Sequence, residues 1–251
     1  MVNGLQYKDV KTHVVIPQNG RLEEALLEKA IPYQKLVVSW WMKSNSHSLK
    51  DVYKFIVEVN QSKSAYDELI KTWKIDLVYS NSSVFPIGKI AADRNNLPHI
   101  WHIREFGDLD FSLKFIFPKC LCIRYIRNSQ AIICNSEAVR KHYFQGKSQN
   151  NVSVIYNGIA SKAEFEALYQ KKNKNTQNDI YTFLMVGSIS PKKGHEIAIK
   201  ALAKLKENGI NAKLIITGSG KDNYIQTCKQ LVRKLGIEED VSFTGYISDP
   251  Y

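Results

Sequence analysis

The stretch that most constrains the fold is residues 181–195, YTFLMVGSISPKKGH. Apolar β-formers from Tyr181 to Val186 read as a buried strand. Gly187 turns the chain where a side chain would obstruct it, and Gly194 opens a helix with Ala198, Ala201, Leu202 and Leu205 on one face. Lys192 and Lys193 therefore stand at the amino end of that helix, where unpaired N–H groups and the macrodipole already attract an anion. An ammonium there adds a charge-assisted hydrogen bond worth roughly 1.5–3 kcal/mol. A diphosphate suits such a seat better than a neutral ligand. Gly209 ends the helix, Ala212 to Thr217 is the next strand, and Gly218-Ser219-Gly220 the next loop. Ile225, Cys228, Val232 and Leu235 stripe a second helix closed by Gly236, and residues 241–244 form a third strand ending at Gly245. Strands alternating with helices imply a parallel sheet, whose ligands bind at the carboxyl ends of the strands, where all three glycine loops lie. Plain turn chemistry also puts glycines at such places. Neither a P-loop nor a dinucleotide fingerprint is present, since Gly187 and Gly194 lie too far apart and GSGKDN lacks a third glycine.

The first half carries a second alternating array. Residues 5–11 read as the last turn of a helix, 12–17 as a strand, Asn19-Gly20 as a turn, 22–29 as a helix and 34–40 as a strand. Residues 48–73 read as one long or two consecutive helices, with Leu49, Val52, Ile56, Val59, Leu69, Ile70 and Trp73 facing inward. Further strands are expected at 75–79, 98–103, 130–134 and 152–156, with helices at 84–95 and from the cap Ser136 to about Gln145. The strand at 98–103 runs into HIWHIREFGD, so His102, Arg104 and Glu105 project at its carboxyl edge. A histidine there is either a structural hydrogen-bonder or a site residue, and Arg104 either binds a phosphate or pairs with Glu105. Asp108-Leu109-Asp110 has the form of a metal-binding DxD triplet, but such acids are common in loops and helix caps, and no metal is assigned to it. Residues 111–128 interleave Phe111, Phe115, Phe117, Leu121 and Tyr125 with Lys114, Lys119, Arg124 and Arg127 around the helix-breaking Pro118. This mixture suits either the surface of an anionic membrane or a half-buried helix with a solvated basic face.

VGSISPKKGHEIAIKALAKL, AKLIITGSG and VSFTGYISDPY, in this order and spacing, closely resemble the second domain of family 4 retaining glycosyltransferases. The resemblance implies an α/β chain of the GT-B fold: two Rossmann-like parallel-sheet domains facing each other, a nucleoside diphosphate-sugar being held mainly by the second. The expected domains are 1–157 on the acceptor side and 158–251 on the donor side, with a crossing helix and solvated linker at 160–179. By this resemblance Lys193 contacts the diphosphate. Gly187, Ser188, Gly194, Gly218 and Gly220 form the donor loops, and the Gly245-Tyr246-Ile247 turn lies along the base. Ser188 departs from the family pattern, which usually has an arginine there as a second diphosphate ligand. The resemblance also makes His102 the catalytic candidate, near the transferred sugar and the acceptor. Arg104, Glu105, Asn135 and Ser136 become candidate acceptor or phosphate contacts, although capping alone would explain Ser136. No cofactor or metal is implied, the nucleotide-sugar being a substrate.

In the resembled family a first strand and glycine-rich loop precede the helix at 22–29, and further sequence with a glutamate pair that grips the donor follows GYISDP. The expectation is a chain truncated at both ends, its second sheet incomplete and apolar at an exposed edge, with low cooperative stability when alone. A formal net charge of +11 favours an anionic partner: nucleotide-sugar, lipid phosphate or nucleic acid. No stripe of interleaved base-stacking aromatics supports nucleic acid. Cys120, Cys122, Cys134 and Cys228 have neither zinc spacing nor disulfide density and read as reduced thiols of a cytoplasmic protein. No apolar run is long enough for a membrane span, so any membrane contact would be peripheral, on the inner face. Two functions stay open. One is a glycosyltransferase acting on a saccharide or lipid-linked acceptor at the cytoplasmic face, in surface polysaccharide assembly. The other is a non-catalytic or partner-dependent fragment of such an enzyme, completed by a chain that supplies the missing C-terminal part.

Overall fold

Both halves of the chain fold as parallel sheets flanked by helices, as their strand–helix alternation requires. The computed structural model describes residues 4, 8–44, 48–145, 150–158, 160–172 and 180–247, in two compact units, 1–159 and 160–251. Among the described residues no helix is long and apolar enough to cross a membrane.

In the second unit, α7 (Lys162–Lys172) precedes β9 (Tyr181–Val186), α8 (His195–Glu207), β10 (Ala212–Thr217), α9 (Asp222–Lys234) and β11 (Val241–Gly245). The sheet order is β11-β10-β9, all parallel. Two right-handed crossovers stepping in one direction place α8 and α9 on one face. Ala212, Leu214 and Ile216 alternate inward on β10 and are buried with Ile199, Leu202, Cys228 and Val232 of those helices. Phe183 and Met185 are registered with Leu214 and Ile216 on this face, whereas Leu184 and Val186 share the opposite face with Ile215 and Thr217.

The expectation of a buried strand at 181–186 is corrected here. Tyr181, Phe183, Leu184 and Val186 are 48–68% exposed, because β9 is an edge strand and the helices cover only one side of the sheet. The stripe expected on α8 is also rotated: Ala201 is exposed, while Ile199, Leu202 and Ala203 are buried.

The first unit contains a four-stranded parallel sheet, β4 (Val78–Ser80), β5 (His99–Ile103), β7 (Ala131–Cys134) and β8 (Val152–Val154), in that spatial order. A separate parallel pair joins β1 (Val14–Ile16) to β2 (Tyr33–Lys35). An antiparallel pair joins β3 (Met42–Lys43) to β6 (Lys114–Phe115). The connecting helices are α1 (Arg21–Glu28), α2 (Leu49–Thr72), α3 (Ile87–Arg94), α4 (Asp108–Phe111), α5 (Lys119–Arg127) and α6 (Glu137–Phe144). The core is built around Trp101, which stacks on Trp41 at 5.8 Å and lies among the fully buried Ile103, Ile132, Cys134 and Phe144.

Several expected elements change. The strand expected at 34–40 is only three residues long. Leu36 and Val38 still pack inward against Tyr66, Ile87 and Ala91; the Leu36 amide donates to the Ile16 carbonyl of β1 at 3.1 Å, and beyond it the Tyr66 hydroxyl donates to the Val37 carbonyl at 3.0 Å. Helix α2 is continuous and starts at a Ser48–Asp51 capping box. Its buried positions are Phe55, Ser62 and Tyr66; of the stripe expected to face inward, Val52, Val59 and Ile70 pack against the core, whereas Leu49 and Ile56 are 89% and 47% exposed. Residues 111–128 divide into the end of α4, β6 and α5, the last starting after Pro118 and burying Cys122, Ile123 and Ile126. Residues 119–127 thus form a half-buried helix with Lys119 and Arg124 exposed. Residues 5–7 of the helix end expected at 5–11, and residues 173–179 of the expected linker, lie outside the described residues; residues 8–11 are not helical.

Candidate functional site

In the second unit the glycine loops stack backbone on backbone beyond the ends of the strands. The Gly187 amide donates to the Thr217 carbonyl at 3.0 Å, the Gly218 amide to Gly245 at 2.8 Å, and the Ile189 amide to Ser219 at 2.8 Å. Ile189 also forms a parallel bridge with Gly220. A Cβ at Gly218 would lie 1.8 Å from the Gly187 carbonyl oxygen, and one at Gly220 would lie 2.1 Å from that of Ile189. Gly187, Ser188, Gly218 and Gly220 are thus brought into one layer, and Gly218 and Gly220 must be glycine because a neighbouring backbone occupies the place of a Cβ.

Pro191–Lys193 makes a 3-10 turn, Gly194 is left-handed at φ +74°, and α8 begins at His195. Buried His195 ties the turn to the helix, its Nδ1–H donating to the Ser190 carbonyl at 3.2 Å. Lys193 is exposed at this amino end and forms no ion pair among the described residues. An ammonium that lacks a carboxylate partner and sits beside unpaired helix N–H groups attracts an anion. Gly245 ends β11 on the same edge, and Tyr246 and Ile247, which follow it, are 59% and 42% exposed.

In the first unit the parallel register brings His102, Arg104, Glu105, Asn135, Ser136 and Asn157 to the carboxyl edge of one sheet. His102 is the penultimate residue of β5, and its Nδ1 lies 2.6 Å from the Tyr79 hydroxyl. Its Nε2 is buried and has no hydrogen-bond partner among the described residues. Burial lowers the His102 pKa, the Arg104 cation lowers it further, and Glu105 opposes both. The imidazole is therefore neutral at pH 7, with one buried ring nitrogen left without a partner among the described residues. Tyr79 was not legible from the sequence; it is registered with Ile100, which puts it diagonally beside His102 on one face.

Glu105 does not pair with Arg104. Its Oε1 accepts from Ser82 Oγ at 2.6 Å, the Ser83 amide at 2.6 Å and Ser83 Oγ at 2.7 Å, which fastens the loop after β4. Arg104 is exposed and donates to Asn157 Oδ1 at 3.3 Å. Asn135 Nδ2 donates to the Arg104 carbonyl at 2.8 Å, while its buried Oδ1 lacks a partner among the described residues. Ser136 caps α6, accepting from the Val139 amide at 3.2 Å. Neither acid of the DxD triplet stands apart: Asp108 accepts from Lys119 and His142, and Asp110 from the Phe106 amide.

The family profile described as Glycosyltransferase Family 4 matches residues 1–162, and that described as Glycosyl transferases group 1 matches 166–251. The chain is 24% identical over 204 residues to the uncharacterized glycosyltransferase MJ1059 of Methanocaldococcus jannaschii, covering 73% of this chain and 48% of that protein. It is 23% identical over 198 residues to an alpha-monoglucosyldiacylglycerol synthase of Streptococcus pneumoniae, covering 72% and 44%. This chain therefore spans about half the length of these curated relatives. The crystal structure of Anabaena Alr3699/HepE in complex with UDP superposes with a TM-score of 0.65 at 23% identity, covering 98% of this chain and 64% of that one.

Proposed function

The chain belongs to the family 4, group 1 glycosyltransferases of GT-B fold, and from that membership we propose that it transfers a sugar, with retention, from a nucleoside diphosphate-sugar to a saccharide or lipid-linked acceptor at the cytoplasmic face of a membrane. The observation that carries this reading is the layer of stacked glycine loops that ends at Lys193 and the amino end of α8. The anomeric C–O bond breaks with its electron pair passing to the diphosphate, and the acceptor hydroxyl oxygen forms the new bond as its proton leaves for the departing diphosphate. Lys193 and the loop amides stabilise the charge that develops on the leaving group, in the place of a metal ion. Tyr246 and Ile247 take the base. Ser188 contributes a hydroxyl where an arginine would add a second charge, so Lys193 carries a larger share of the diphosphate. The neutral His102 is the candidate to hydrogen-bond a sugar or acceptor hydroxyl, which requires its buried Nε2 to become accessible, and Arg104 offers an exposed guanidinium to an acceptor phosphate.

UDP titrated calorimetrically into the full chain tests the donor half of this reading. Lys193→Ala is expected to weaken binding about tenfold to a hundredfold, the equivalent of one charge-assisted hydrogen bond. Undiminished binding by that variant would remove Lys193 from the site.

A second reading, a subunit that binds donor but turns over only with a partner chain, is favoured by the exposed apolar Phe183, Leu184 and Val186 of β9. Transfer of labelled sugar by the chain alone excludes it; donor binding without transfer selects it.

A further inference from the structure

A cavity of about 390 Å³ lies wholly within the first unit, between the β3–β6 pair, α4 and α6. Its walls are apolar, formed chiefly by Met42, Leu113, Phe115 and Phe117. A second hollow, lined by Trp40, Lys43 and Asp51, continues from it past Met42 and Leu113. The combined space falls in the size range of small-molecule sites and is too apolar for a sugar alone.

The mouth is cationic. Lys114 and Lys119 line it, and β3–β6 register places Lys114 directly opposite Lys43. Like charges at opposed positions of an antiparallel pair destabilise it unless an anion relieves them. Asp51 pairs with Lys43 at 2.6 Å, and Asp108 is shared by Lys119 and His142 at 3.4 and 2.8 Å. Lys114 is exposed and has no ion pair among the described residues. The neighbouring surface is apolar as well, with Leu109 and Leu121 71% and 57% exposed. An apolar chamber with one surplus positive charge at its entrance complements a ligand with an anionic head and a hydrocarbon tail.

We propose that this cavity holds the hydrocarbon chain of a phosphate-headed lipid, with the phosphate bound at the mouth by Lys114 and Lys119. Only the lipid's role as the sugar acceptor rests on the transferase reading; the binding itself does not.

The test titrates the full chain with decyl phosphate below its micelle concentration and follows the emission of the tryptophans, two of which, Trp40 and Trp41, adjoin Met42. Decyl maltoside and inorganic phosphate serve as comparators, and UDP binding is measured in parallel. Saturable binding of decyl phosphate is expected, at least tenfold tighter than either comparator. Lys114→Glu should weaken it at least tenfold while melting no lower than the wild type, because a glutamate opposite Lys43 turns a repulsive cross-strand pair into an attractive one. Absence of decyl phosphate binding, equal binding of the maltoside or of inorganic phosphate, or an unchanged affinity in Lys114→Glu overturns the proposal. If UDP binds while decyl phosphate does not, this inference fails and the donor reading stands; the reverse result sinks the donor reading alone.

Discussion

Gly218→Ala is expected to lower the melting temperature of the second unit by about 15 °C and to abolish saturable UDP binding. The new methyl group would lie 1.8 Å from the Gly187 carbonyl oxygen and 2.8 Å from its carbon, both backbone atoms, and Gly218 sits at φ +145°. Neither strand can give way freely, because the Gly187 amide is bonded to Thr217 and the Gly218 amide to Gly245. Clash and backbone strain together cost about 3 kcal/mol, which for a domain of this size corresponds to the stated shift. Gly187→Ala is the matched control. It has nearly the same φ, +146°, but its Cβ would meet nothing within 4 Å, so only the strain remains. Melting temperatures for the two variants within about 2 °C of each other would show that close backbone approach does not govern this layer.

Acidification should destabilise the first unit through His99. This residue is 2% exposed and joins the end of β4 to the turn before β7, Nε2 to Ser80 Oγ at 2.9 Å and Nδ1 to Ser129 Oγ at 3.1 Å. Burial holds its pKa down to about 3, and the nearby Lys89 ammonium adds to the effect. The unfolded chain takes up the same proton near pH 6.5, so the contribution is fully present above that pH. It is lost as the pH falls towards 3, at about 1.4 kcal/mol per pH unit. Urea unfolding at about pH 7 and pH 4.5 measures it. The wild type should lose about 2–3 kcal/mol more than His99→Gln, whose amide keeps hydrogen bonds but does not titrate. Parallel losses in the two proteins would show that the buried imidazole does not drive the acid response.

The two units differ in how far their chemistry could be read in advance. In the second, the site is local: Gly187, Lys193 and Gly194 fall within one strand–turn–helix, and Gly218, Gly220 and Gly245 recur at the next two strand ends. In the first, the relevant contacts join residues far apart in sequence. Tyr79 meets His102 and Ser82 meets Glu105 across 23 residues, and Lys43 faces Lys114 only because β3 and β6 pair. Arg104 illustrates the limit, since its competing partners, Glu105 and a ligand, could be separated only once Ser82 and Ser83 were seen to occupy the carboxylate.

The amino-acid sequence by itself determined the parallel strand–helix alternation, the glycine loops at the strand ends and the placement of Lys193 at a helix start, because each follows from periodicity and turn chemistry within a few residues. Only the tertiary structure decided that β9 is an exposed edge, that α2 turns Phe55 and Tyr66 inward instead of Leu49 and Ile56, and that an apolar cavity opens beside Lys114. Those outcomes depend on strand order, helix rotation and cross-strand register. They are settled by packing across the whole unit, and no local pattern encodes them.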